Sequence, residues 1–358
     1  MKINLPISLI NKYLDTMELN EQVASFYNDY FNYFNDYEFN NEISLYSYIK
    51  ECLEIDENDT YFKNFEKEYE LNNIKELDIK KYKNDAYIKG IKLREKIKCK
   101  GYTLDFSKYD PYYLFIYDEI KVNKNEYYRE TYDVGYFKDS FTYIELNKNN
   151  ITWMSTIPHE INTMKKDIDI VKNNVLVLGL GIGYFSYLIS NKASVKTITI
   201  LENDEEILSL FTKFIMPNYK YKDKVKIIKC DALEYLKNND LSIFDYIYVD
   251  LYHNANDGIS FYYYIKNIEN KLNCNSKFLY WIETNILCLI RRITLSIIRD
   301  KIYCKNYEKK YNSLKDNEFN NIVKTIFNNI NCLTISSKNE LDSLLSDDSL
   351  KRLIINCR

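Results

Sequence analysis

Seven glycines serve 358 residues, and three of the seven stand at alternate positions, Gly179, Gly181 and Gly183. Four apolar residues, Val175 to Leu178, lead into them, and an apolar run from Tyr184 to Ile189 leads away. An uninterrupted apolar run of strand length reads as a parallel strand buried on both faces. Glycine weakens regular elements and is useful where backbone must come close to another group. A glycine-poor chain that gathers three between a strand and a helix is therefore expected to build a nucleotide-type site there. The plainer reading is a tight strand-to-helix turn with no ligand.

The downstream pattern decides between the two. Thr197 to Leu201 reads as a second strand closed by Glu202, with a helix from Asp204 to Ile215. Lys226 to Lys229 is a third strand, followed by Cys230, Asp231 and a helix through Lys237. Tyr246 to Val249 is a fourth, closed by Asp250, with a helix over Ser260 to Leu272. Lys277 to Ile282 is a fifth, closed by Glu283. Strands alternating with helices at this spacing predict an α/β, Rossmann-like doubly wound parallel sheet. Ligands bind such sheets outside the carboxyl ends of the strands, where Glu202, Asp231, Asp250 and Glu283 are all expected.

The flanking segments read differently. Residues 1–110 are predicted to form a helical N-terminal domain. Phe26, Tyr30, Tyr33, Phe34 and Tyr37 follow helical spacing, and Ile43, Leu45, Tyr46, Tyr48 and Ile49 suggest a further helix. Residues 111–153 carry short aromatic and apolar runs and predict a small antiparallel β lead-in. Residues 154–358 are expected to be the Rossmann-like domain, entered by a helix opened by Pro158. Beyond residue 300, Glu318 to Asn329 reads as a helix and Cys332 to Ile335 as a strand. Ser337 with Glu340 reads as a cap opening a helix through Leu345.

Composition narrows the function classes. A net charge of −3 argues against a broad nucleic-acid surface. Eight scattered cysteines without a paired spacing are expected to be reduced thiols of a cytoplasmic protein. No apolar window is long enough and free enough of charge to span a membrane, and no metal-ligand spacing is present.

Gly-x-Gly-x-Gly is not the dinucleotide spacing, since Tyr184 stands where its third glycine belongs. No Lys-Ser/Thr follows, which excludes a P-loop. Glu202 can accept from both hydroxyls of a ribose. Asp231, beside Ala232, is placed to accept from an adenine amino group. Asp250 ends the fourth strand near the reacting centre.

These four features in order resemble class I S-adenosylmethionine-dependent methyltransferases over residues 153–283. The resemblance implies S-adenosyl-L-methionine as cofactor, with Gly179, Gly181 and Gly183 lining its methionine end, Glu202 on its ribose and Asp231 with Ala232 at its adenine. Val177, two residues before the first glycine, resembles the spermidine synthase-like branch, where an acid is replaced by an apolar residue. So does Pro158-His159-Glu160, which falls where that branch has a Tyr-His-Glu helix. Two positions depart from the branch. Ile182 replaces an Asp that holds the amine of decarboxylated S-adenosylmethionine, and His253 stands where the loop after the fourth strand carries a second acid. Both histidines of the chain, His159 and His253, fall in segments expected to border the pocket, where a neutral imidazole could act as general base.

The resulting expectation is a methyltransferase with Asp250, His253 and His159 as catalytic candidates and a small-molecule or peptide-like acceptor. A homodimer is compatible with it. The alternatives are an aminopropyltransferase using decarboxylated S-adenosylmethionine, and a non-catalytic Rossmann-like module that binds a ligand or partner.

Overall fold

A computed structural model describes residues 1–34, 60–69, 71–93, 95–149, 151–272 and 275–356. The helix expected around Ile43 to Ile49, and Tyr37, lie outside the described residues. A long helix, α1 (Ile7–Phe34), opens the chain. Of the aromatic stripe, Phe26 packs edge-on against Tyr69 with ring centroids 4.9 Å apart, at the edge of a small core cluster; the side chains of Tyr30, Tyr33 and Phe34 lie outside the described residues.

Four strands then form an antiparallel sheet: β1 (Ile97–Cys99), β2 (Tyr102–Tyr109), β3 (Phe141–Lys148) and β4 (Ile151–Ser155), in the order β4-β3-β2-β1. The sheet therefore begins upstream of residue 111, inside the segment expected to be helical. The reason is pairing: β2 runs in unbroken register with β3 from Tyr102↔Lys148 to Tyr109↔Phe141. A strand specified by a partner forty residues away leaves a weak local signal.

Pro158 opens α2 (Pro158–Ile170), which leads to the parallel sheet. Its strands are β5 (Asn173–Leu178), β6 (Val195–Glu202), β7 (Val225–Lys229), β8 (Tyr246–Val249) and β9 (Lys277–Tyr280). They lie in the order β7-β6-β5-β8-β9, with the order reversing on either side of β5. The doubly wound sheet is as expected. The connecting helices include α3 (Tyr184–Ser190), α4 (Glu205–Leu210), α5 (Ala232–Asn238) and α6 (Ala255–Glu269). Val175, Leu176 and Leu178 are fully buried, as a central parallel strand requires.

The fifth strand is shorter than expected. Ile282 adopts a left-handed backbone at φ +48°, and α7 (Glu283–Tyr303) begins at once. Glu283 is thus a helix residue. It accepts from the Tyr262 hydroxyl at 2.7 Å and from Lys351 at 2.7 Å, away from the sheet edge where it was expected. α8 (Glu318–Asn331) follows, and Thr334–Ile335 pairs in parallel with Lys2–Ile3 at the start of the chain. One apolar core joins Tyr13 of α1, Leu104 of the antiparallel sheet, Leu176 of β5 and Ile326 of α8. No helix among the described residues is long and apolar enough to cross a membrane.

Candidate active site

Strand register brings the site together. Leu178 of β5 pairs with Leu201 of β6 on one side and with Val249 of β8 on the other. The next residue of each strand is therefore Gly179, Glu202 and Asp250, side by side at the carboxyl edge. Residues separated by more than twenty positions in sequence meet because parallel pairing aligns strand ends.

The glycines make that meeting tight. Gly179 has φ +95°, and a Cβ built on it would stand 2.0 Å from the carbonyl oxygen of Asp250. Gly181 has φ +51°, and its Cβ would meet the Met154 sulfur at 2.2 Å. Both positions favour glycine for conformation, and at Gly179 the obstacle is backbone, so space demands it as well. Gly183 does something else. It precedes α3 at φ +72° and is packed beneath Phe211 and Tyr219, with the Tyr219 hydroxyl donating to its carbonyl at 2.7 Å. It does not line the cavity; close helix packing accounts for it.

A cavity of about 370 Å³ opens above this edge, a size typical of small-molecule sites. Its floor is Gly179, Leu180, Gly181, Glu202, Asp231, Ala232, Asp250 and His253. Glu202 accepts from the backbone N–H of Leu180 at 3.2 Å and of Asp204 at 2.8 Å. A third backbone bond, from Asn203, adds to these, and the carboxylate keeps acceptor capacity for a further donor. Burial raises its pKa despite those bonds. Asp231 caps α5, accepting from the Glu234 N–H through Oδ1 at 2.9 Å, while the residue borders the cavity. Asp250 is held by burial at a pKa of about 7.

Glu160, on the first turn of α2, joins the same wall. It accepts from the Ser155 N–H at 3.1 Å and from the Ser155 hydroxyl at 2.9 Å. Burial, reinforced by the charge of Asp250, pushes its pKa to about 8. The two histidines separate. His253 lines the cavity, its Nδ1 3.0 Å from Asp257 Oδ2. His159 does not line it and is kept neutral by burial, with a pKa of about 4. Asp257 also caps α6 by accepting from the Asn254 N–H. Ile182 is fully buried in the core and points away from the cavity. Among the described residues, no group of three or more His, Cys, Asp or Glu is gathered as metal ligands would be.

Sequence reading passed over the opposite wall, made by Tyr102, Lys148, Thr152, Trp153 and Met154 of the antiparallel sheet, and by Trp281. The only signal for it was the presence of two tryptophans in the whole chain, both of which line this cavity. Among the described lining residues, Lys148 is the sole lysine or arginine, against Glu160, Glu202, Asp204, Asp231 and Asp250.

The fold and this edge are those of a Rossmann-like, doubly wound α/β domain. Within it, residues 156–280 match the family model of the spermine/spermidine synthase domain. Three solved structures are similar in part. Spermidine synthase from Thermotoga maritima is 16% identical over 42% of this chain and 55% of its own, with a TM-score of 0.29. A protein from Corynebacterium glutamicum described as a spermidine synthase is 11% identical over 58% and 71%, with a TM-score of 0.33. A protein from Staphylococcus aureus described as a caffeoyl-CoA O-methyltransferase is 24% identical over 24% and 43%, with a TM-score of 0.22. The chain thus spans 43% of the last and 55% of the first. No curated protein sequence matches the chain.

Proposed function

We propose that the cavity binds an adenosyl sulfonium and that the chain transfers an alkyl group from it to a nucleophile. The observation that carries this reading is the register that sets Gly179, Glu202 and Asp250 side by side in one cavity. In it, Glu202 accepts from the ribose hydroxyls with the acceptor capacity its backbone bonds leave. Asp231 and Ala232 flank the adenine. Gly179 and Gly181 let the tail of the donor approach the backbone.

The character of the tail end favours one donor. Glu160 and Asp250 face it, and the one lysine of the wall, Lys148, stands beside Asp204 on the Glu202 side. Two carboxyl groups with no basic partner suit a tail that carries an ammonium and lacks a carboxylate. That is decarboxylated S-adenosylmethionine, and the transferred group is then aminopropyl. The loss of acid at Ile182 weighs less than the sequence suggests, because that side chain lies in the core and Glu160 and Asp250 supply acids to the cavity. In the reaction, the acceptor nitrogen forms a bond to the tail carbon next to sulfur as the carbon–sulfur bond breaks. The sulfonium leaves as the neutral thioether 5′-methylthioadenosine. The acceptor loses its proton to Asp250, which burial raises to a pKa of about 7, or to His253 beside it in the cavity. Alignment of nucleophile, carbon and sulfur supplies most of the acceleration, since the sulfonium is already activated.

Methyl transfer from S-adenosyl-L-methionine is the second reading, favoured by His253 in place of the branch's second acid. Calorimetric titration separates them. Aminopropyl transfer predicts at least about tenfold tighter binding of the decarboxylated donor, one charged pair's difference. The reverse preference moves the assignment to methyl transfer. Binding of neither donor nor of 5′-methylthioadenosine sinks the donor class.

A further inference from the structure

The antiparallel sheet crosses the cavity mouth on two legs. On one side, Tyr102 of β2 donates its hydroxyl to Asp204 Oδ2 at 2.8 Å, and Lys148 at the end of β3 lies 3.6 Å from the same oxygen. On the other, Trp153 of β4 meets the ring of His253 edge-on, with centroids 3.9 Å apart and planes at 88°. Asp204 follows β6 and His253 follows β8, the two strands that flank β5. Between the legs, Lys148 Nζ stands 5.0 Å from the ring centroid of Tyr102 and 4.8 Å from that of Trp153.

The placing of Trp153 has a local cause. β4 pairs with β3 as Thr152↔Asn147 and then as Met154↔Leu146, so Trp153 has no partner in the ladder. This is a β-bulge, which bends a strand and re-aims a side chain. Met154 pins the strand just beyond the bulge. Its sulfur accepts from the Ile182 N–H at 3.3 Å and fills the space that a Gly181 side chain would need. With Met154 held against the glycine loop, the bulge turns the indole across the mouth. Trp153 is left 36% exposed, although an indole gains most when its face is covered. The residue lines the cavity, between His253 and Lys148.

Resting on the adenosyl reading above, we infer that Trp153 is a donor-binding residue, its indole face closing on the adenosyl group held by Glu202. An aromatic face stacks on a purine whatever its hydrogen-bonding edge, and it attracts a neighbouring sulfonium cation. The bulge and the Met154 anchor orient the ring before the donor arrives, and the Tyr102 and Lys148 leg holds the sheet at its distance from Asp204. The donor is thus enclosed between the parallel sheet, which reads its polar groups, and one indole from the antiparallel sheet, which covers its apolar face.

The test uses the full chain with 5′-methylthioadenosine as probe. Trp153→Ala should weaken binding roughly 5- to 150-fold, the range given by loss of one stacking aromatic. Trp153→Phe should restore most of it. Both variants should stay folded, with Trp153→Ala losing no more stability than its ring contact with His253 supplies. In Trp281→Phe, which leaves Trp153 as the sole indole, the probe should protect the fluorescence from acrylamide quenching. Equal affinity of Trp153→Ala and parent, or quenching unchanged by bound probe, overturns the inference and leaves the adenosyl reading standing. A parent that binds no probe overturns both.

Discussion

Gly179→Ala is the sharpest perturbation this architecture allows. The added Cβ would stand 2.0 Å from the Asp250 carbonyl oxygen, whereas contacts below 3.0 Å are essentially never seen. The obstacle is backbone, and it is fastened, since the Asp250 N–H donates to the Leu178 carbonyl at 3.0 Å and Leu178 pairs with Val249. Relief requires the end of β8 to retreat by about 1 Å. Overpacking of this kind costs about 1–3 kcal/mol, and a left-handed backbone at φ +95° adds roughly 1–2 kcal/mol for a residue with a side chain. A loss of about 2–5 kcal/mol in unfolding free energy is expected from urea denaturation. The same shift moves Asp250 against the bound donor, and a misplacement of about 1 Å costs on the order of a hundredfold in turnover. Gly101→Ala is the matched control. Its Cβ would meet nothing closer than 3.5 Å and needs no left-handed backbone, so it should stay within about 0.5 kcal/mol of the parent. A Gly179→Ala protein as stable as Gly101→Ala, with unchanged affinity for 5′-methylthioadenosine, would refute the close approach of the glycine loop to β8.

Two further outcomes follow from the cavity acids. Asp250 and Glu160 have pKa values near 7 and 8 in the folded chain, against ordinary values of 3.8 and 4.5. The folded state therefore holds protons that the unfolded state has lost, and the stability due to these groups falls as pH rises from about 4 to about 8. Asp250→Asn removes part of that dependence, so the difference in stability between variant and parent should shift in the variant's favour over pH 5 to 8; a difference flat with pH would contradict the buried, unpaired state of Asp250. Glu202→Ala should abolish binding of 5′-methylthioadenosine and lower stability by about 1–3 kcal/mol, since the N–H groups of Leu180 and Asp204 lose their acceptor. Retention of parent affinity in calorimetry would dislodge Glu202 from the ribose.

The parallel sheet was legible because its signals are local. Buried strands such as Val175 to Leu178 announce themselves by an apolar run, and Gly179 and Gly181 by their rarity in this chain. Glu202, Asp231 and Asp250 could be placed at the site because a strand end is a sequence position. Three assignments failed for lack of tertiary information. Gly183 serves the packing of Phe211 and Tyr219, Glu283 is drawn into α7 by the left-handed turn at Ile282, and His159 is turned away from the cavity that its neighbour Glu160 lines. Each choice depends on which face of an element meets its neighbours, and a single position carries no record of that.

By itself, then, the sequence determined the order of strands and helices in the parallel sheet, the need for glycine at the loop, and the carboxylates that border it. Periodicity and backbone sterics act over a few residues and can be read one segment at a time. Only the tertiary structure decided which acids share a wall, that Ile182 faces the core, and that Tyr102, Lys148 and Trp153 roof the cavity. Those outcomes depend on pairings such as Tyr102↔Lys148 and on a single skipped partner at Trp153. Register is set by the sum of contacts along two distant strands, so it exists only once both are in place.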